Sequence, residues 1–229
     1  MKIVSFSGID GAGKSTQIAE FERWLHDSGL GTRVLTFWND VVVFSRWREF
    51  MSYKAFKGER GVGSPEKPVQ RRDKNVTALP VTLARLFFYF VDTLSLSRSV
   101  ARARRSNYDV IVFDRYIYDE LANLPLQRHS AQVFARIILR IAPKPDLAFV
   151  IDADPDAAQA RKPEYPLEFV RRNRQAYLTL AALSGDITVV PPGSLAEMKT
   201  GIREKTLQKF PSQNLPQEKP STTAFPVSI

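Results

Sequence analysis

A glycine-rich octapeptide near the start of the chain, Gly8-Ile9-Asp10-Gly11-Ala12-Gly13-Lys14-Ser15, carries its most specific chemistry. Glycines at this spacing let successive backbone N–H groups turn inward around a phosphate, and a helix starting at once adds the positive end of its dipole. Lys14 can reach the β- and γ-phosphates of a nucleoside triphosphate, and a hydroxyl such as that of Ser15 coordinates Mg²⁺. The octapeptide and Thr16 are therefore read as a cradle for ATP. A second pair, Asp114-Arg115, ends the apolar run Val110-Ile111-Val112-Phe113. A carboxylate there can share the Mg²⁺ shell with Ser15, or else cap the next turn. The guanidinium of Arg115 suits an acceptor's phosphate, or else makes a surface salt bridge. Asp10 stands so near the phosphates that a cation or a hydroxyl must meet it, unless it only tightens the turn through local side-chain bonds.

Positioning these groups takes strands that end together and helices that cover them. Apolar runs at Ile3 to Ser7, Arg33 to Trp38, Asp109 to Phe113, Leu147 to Ile151 and Ile187 to Val190 alternate with helical patterns. The helices are predicted over Lys14 to Ser28, Leu83 to Arg105, Gln127 to Ile141, Asp154 to Lys162, Leu167 to Leu183 and Leu195 to Lys209, with Gly29 and Gly31 closing the first and Asp154-Pro155 opening the fourth. Runs apolar on both faces belong in a parallel sheet covered on each side. The fold expected is α/β, a P-loop NTPase three-layer α/β/α sandwich with a five-stranded parallel sheet. Its domain spans residues 1–210.

Composition narrows the chemistry further. The 229 residues contain no cysteine and two histidines, which excludes thiolate metal sites, a cysteine nucleophile and histidine clusters. With 33 Lys+Arg against 24 Asp+Glu the net charge is +9, so a polyanion is the natural partner. No stretch approaches the roughly 18–20 apolar residues of a membrane span, and the opening residues lack the apolar core of a secretion signal. A cytoplasmic protein with no membrane partner is expected. Two segments break the βα rhythm. A basic insert at about 52–79, densest from Lys54 to Lys74 and rich in Gly and Pro, reads as a long loop, and the Pro/Ser/Gln-rich tail at 211–229 reads as disordered.

The same octapeptide, extended from Ser7 to Gln17, resembles the opening of thymidylate kinases. Three further stretches resemble that family in order: Asp109 to Tyr116, whose strand ends in Asp-Arg-Tyr; Pro145 to Pro155, leading to Ala157–Arg161 at a lid entrance; and the helix from Phe169 to Leu180. The resemblance covers roughly residues 2–38 and 84–190. It implies Mg²⁺- and ATP-dependent phosphorylation of a nucleoside monophosphate, dTMP to dTDP, and a homodimer built through the helix from Leu83 to Arg105. It implies that Asp114 and Arg115 face the monophosphate and metal, and that Asp10 contacts the acceptor's sugar or organises the metal. Such kinases place an arginine in the loop or the lid. Gly11 occupies the loop position here, so the short lid at 161–167 must supply it, with Arg161 as first choice and Arg171, Arg172 and Arg174 read as a solvated face. The resemblance implies catalytic roles for Asp10, Lys14, Asp114, Arg115 and Arg161.

The chain departs from the family where the acceptor is gripped. It reads Phe37-Trp38-Asn39-Asp40 in place of Arg-Glu-Pro-Gly, and Asp92 or Thr93 falls near the arginine that reads the thymine edge. The basic insert, with Arg46 and Arg48, could substitute for the phosphate grip. Phe87 to Phe90 read as mostly core, while Tyr116 and Tyr118 stand better placed to stack on a base. A kinase of another small acceptor therefore stays open, as does a nucleotide-sensing module that binds nucleic acid. Against the module, the insert lacks the interleaved aromatics that stack on bases.

Overall fold

The computed structural model describes residues 1–43 and 79–210. All but the last residue of the basic insert, Arg46, Arg48 and the tail at 211–229 lie outside the described residues. Within them run β1 (Lys2–Ser7), α1 (Lys14–Asp27), β2 (Thr32–Thr36), α2 (Leu79–Ala103), β3 (Val110–Asp114), α3 (Ile117–Leu121), α4 (His129–Ile141), β4 (Leu147–Ile151), α5 (Pro155–Arg161), α6 (Leu167–Ser184), β5 (Ile187–Val190) and α7 (Leu195–Lys209).

The five strands form a parallel sheet in the order β2-β3-β1-β4-β5. Central strands carry apolar side chains on both faces because helices cover both. Alternation along β1 divides the work. Phe6 turns toward α1, its ring 5.4 Å from Phe21, and also meets Phe149 of β4 at 5.3 Å. Ser7 points the other way, to α3. Helices α1 and α7 pack together on one side, while α2, α3, α4 and α6 pack among themselves on the other. The predicted three-layer, five-stranded architecture is what forms, and among the described residues no helix is long and apolar enough to cross a membrane.

Register aligns the strand exits. Asp114 pairs with Phe6 on one side and with Thr36 on the other, and the Arg115 N–H donates to the Phe6 carbonyl at 2.9 Å. Strand order reverses between β1 and β4, and ligands of open α/β sheets bind in the crevice at such a switch point. The loop after β1 is the one the sequence reading expects to cradle phosphate, and the sheet delivers it to this switch point.

Element ends differ from expectation where side chains intervene. The second strand stops at Thr36 rather than Trp38 because Asp40 Oδ2 accepts the Thr36 N–H at 2.7 Å, and the chain passes into a π-helical turn, Phe37–Val41. Asp154 caps α5 as predicted, its Oδ1 accepting from the Ala157 N–H at 2.9 Å. Gly29, at φ +77°, closes α1. The short helix α3 was not foreseen. Along α2 the aromatic run divides, since consecutive helical residues point in different directions and cannot share one face. Tyr89 is buried, while Phe87 and Phe90 are 63% and 45% exposed, contrary to the expectation that the run is mostly core.

Candidate active site

The cradle is locked to its surroundings by two glycines. Gly8 has φ +142°, and a Cβ on it would sit 2.4 Å from the Ile151 carbonyl oxygen. Gly11 has φ +83°, and its Cβ would sit 2.2 Å from the carbonyl oxygen of Ala158 on α5. The loop therefore lies flush against the exit of β4 and against α5, and residue 11 has no room for an arginine. Ile9 and Ala12 are buried beneath the turn, whereas Ser15 and Thr16 are exposed at the start of α1.

Lys14 folds back over its own loop. Its Nζ donates to the carbonyls of Gly8 at 2.7 Å and Ile9 at 2.8 Å, and the residue is 7% exposed. Burial, assisted by Arg115, lowers its pKa from 10.5 to about 8, against the opposing pull of Asp10, Asp119 and Asp114.

Across the loop stands Arg115, the one residue other than glycine with positive φ among the described residues, at +71°. A left-handed backbone at a residue that carries a Cβ costs roughly 1–2 kcal/mol, so the surroundings must enforce it. They do so by charge. Its Nη2 meets Asp10 Oδ1 at 2.5 Å and its Nη1 meets Asp119 Oδ1 at 3.3 Å. Burial opposes the guanidinium's charge, but the two carboxylates more than offset this. Asp10 has thus met a cation, as its place in the loop requires. Asp114, beside Arg115 at the end of β3, is half-buried. Burial raises its pKa, while Arg115 and Lys14 act in the other direction.

Asp119 is the residue that sequence reading missed. It is buried and accepts from Ser7 Oγ at 2.6 Å, the Tyr116 N–H at 3.0 Å and the Tyr177 hydroxyl at 2.9 Å, besides Arg115. Tyr177, from α6, has its pKa pushed well above 10 by burial and then by Asp119, so its hydroxyl stays a donor. The available signal was an acid four residues after Arg115, the spacing at which helical side chains meet.

Other expectations are redirected. Arg161 is exposed on the last turn of α5, and its Nε donates to Ala157 O at 3.2 Å, so it is not brought into the cluster. Arg174 is no solvated-face residue: it forks onto the buried Asp152 at the exit of β4, Nε to Oδ1 at 2.6 Å and Nη2 to Oδ2 at 2.7 Å. Arg171 and Arg172 are exposed, as predicted. Pro163, Glu164 and Tyr165 of the short lid are buried, with Tyr165 stacked 4.9 Å from Phe169. Tyr116 and Tyr118 cannot stack on a base as predicted, because both are buried against each other and Tyr116 donates to Pro143 O at 2.7 Å. Asp92 and Thr93 are also buried. Asp92 Oδ1 accepts the Val43 N–H at 3.2 Å, and with Ser95 and Ser99, which donate to Val41 O and Asp40 O, it fastens α2 to the turn after β2. These three positions share one helical face, and the departure at Asp92 is thereby a structural anchor.

No family model matches the chain. Curated relatives do. It is 31% identical to a probable thymidylate kinase of Pyrobaculum aerophilum over 193 residues, covering 81% of this chain and 85% of the relative. It is 26% identical to a probable thymidylate kinase of Archaeoglobus fulgidus, over 91% of this chain and 95% of that one. A thymidylate kinase of Prochlorococcus marinus is 25% identical, over 91% and 97%. Four-fifths of this chain cannot fit on either side of Asp114, so the likeness extends well past the nucleotide loop, and the chain belongs to the thymidylate kinase family.

Proposed function

We propose that this protein transfers the γ-phosphoryl group of ATP to a nucleoside monophosphate, converting dTMP to dTDP. The observation that supports this best is the Asp10–Arg115 ion pair, which joins the triphosphate cradle to the exit of β3. Donor and acceptor sides then meet at one point, as an in-line transfer requires. The relatives' names supply the acceptor.

In this reading the amides of residues 8–15 hold the triphosphate, and Lys14 leaves the carbonyls of Gly8 and Ile9 to take phosphate oxygens. Arg115 turns its charge toward the acceptor phosphate, while Asp10 accepts from a sugar hydroxyl. Arg161 swings from its own helix to the migrating group when the lid closes. Among the described residues no group of three or more carboxylates or imidazoles gathers around a metal position. The hydroxyl of Ser15 and the carboxylate of Asp114 are oxygen donors of the kind Mg²⁺ takes, an ion that keeps most of its waters and takes phosphate oxygens from the substrate. Ser15 and Asp114 would hold it, and a cation beside Asp114 favours the ionised carboxylate that burial disfavours. When bound, Mg²⁺ neutralises charge on the phosphates.

The protein acts as a homodimer in this reading. Phe87, Phe90 and Leu94 form an exposed apolar stripe on α2, and Val133, Ile137 and Ile141 form another on α4, which packs against α2. Exposed apolar rows on two helices that pack together are what an interaction face needs. Sedimentation velocity at micromolar concentration should show a dimer that Phe87→Glu/Phe90→Glu converts to monomer. A monomeric parent protein would count against the pairing.

Coupled ADP release with MgATP and dTMP should give turnover that falls at least ~1,000-fold in Lys14→Ala, because the lost charge serves the transition state. The transfer reading fails if no nucleoside monophosphate raises ADP release above the Lys14→Ala level.

Proton linkage gives an independent check. Lys14 is largely neutral above about pH 8 in the free protein, and a bound triphosphate favours its charged form. ATP binding at about pH 9 should therefore take up close to one proton, and much less at about pH 7. Calorimetry in two buffers of different ionisation enthalpy measures this, with Lys14→Arg abolishing the uptake. Absence of uptake at the higher pH would contradict it. The same shift makes the free protein gain stability as pH rises from about 8 to 10.5, because the unfolded chain holds the proton longer.

A further inference from the structure

We propose that Asp119 is a positioning residue for the phosphoryl transfer, acting through Arg115. This rests on the transfer reading above and assigns a role to a residue outside the cradle and the Asp114-Arg115 pair. Three anchors from three elements fix the Asp119 carboxylate before Arg115 reaches it: Ser7 Oγ of β1 at 2.6 Å, the Tyr116 N–H entering α3 at 3.0 Å, and the Tyr177 hydroxyl of α6 at 2.9 Å. Oδ2 takes the first two, while Oδ1 takes Tyr177 and the Arg115 Nη1 at 3.3 Å. A carboxylate with both oxygens so engaged has little freedom to rotate.

The other carboxylate on the guanidinium differs in kind. Asp10 belongs to the loop that handles substrate, and its residue is less buried than Asp119. The two acids hold neighbouring nitrogens of one planar group, Nη1 and Nη2. Asp119 therefore fixes where the plane lies, and Asp10 is the partner that exchanges when an acceptor arrives. The short contact to Asp10 and the longer one to Asp119 accord with a guanidinium drawn toward the loop yet tethered from behind. A long side chain with several staggered torsions is not held in one place by its backbone alone, so the tether fixes it.

A role through Arg115 predicts coupling, which a merely structural role does not. Asp119→Asn should lower kcat with dTMP about 10- to 100-fold while the KM for MgATP changes less than about 3-fold. In an Arg115→Lys background the same substitution should cost less than about 2-fold. Effects that multiply in the double variant would overturn the proposal. Nitrogen-15 NMR of the Arg115 side chain provides a second readout that needs no turnover. The parent protein should show a guanidinium with slowed Nη rotation, lost in Asp119→Asn, with backbone spectra otherwise preserved. If that signal is unchanged, Asp119 does not hold Arg115, whatever the activity. If the parent lacks nucleotide kinase activity altogether, the transfer reading fails and the NMR comparison alone decides whether Asp119 tethers Arg115.

Discussion

A mostly buried guanidinium at the mouth of a parallel sheet has to be neutralised, and that requirement organises this site. Arg115 is 19% exposed at its side chain and sits between Asp10 and Asp119. Breaking a buried pair from one side typically costs about 3–5 kcal/mol. The loop after β1, the exit of β3 and the start of α3 are thus bound to one another through a single side chain. Lys14 adds a second buried cation facing the same carboxylates.

On the far side of β1, strand β4 repeats the device. Asp152 follows β4 and is forked by Arg174 of α6, just as Arg115 follows β3 and is held by acids from two other elements. Asp152 follows Ile151, whose carbonyl lies against Gly8, so the Asp152–Arg174 pair braces the far wall of the cradle. Helix α6 consequently reaches the exit of β4, at Asp152 through Arg174, and α3, at Asp119 through Tyr177. These residues are three apart on the helix and share a face. Ion pairs thus flank the loop after β1 on both sides, Arg115 with Asp10 and Asp119 after β3 and Asp152 with Arg174 after β4.

Much of this was legible in the residues. The cradle could be read because its glycines answer to backbone geometry, which spacing encodes. The apolar runs at Val110 and Leu147 could be read because strands buried on both faces leave unbroken hydrophobic stretches. Asp119 could not, because nothing local in Tyr116 to Glu120 says which way α3 will turn after a left-handed residue. Tyr116 and Tyr118 were misplaced for the same reason. The Asp92, Ser95 and Ser99 seam was hidden because its partners are backbone groups of the turn after β2, and a π-helical turn has no residue signature strong enough to predict. Arg174 escaped notice because it stands among other arginines, and Asp152 singles it out in space.

The claim on which the account depends is that a single crevice holds a triphosphate donor and a nucleotide acceptor end to end. A compound joining adenosine to thymidine through five phosphates tests it directly by calorimetric titration and competition. The account predicts binding at least ~100-fold tighter than ATP or dTMP alone, with displacement by each, since linking two occupied subsites combines their binding free energies. Binding no tighter than ATP and displaced by ATP alone would contradict it.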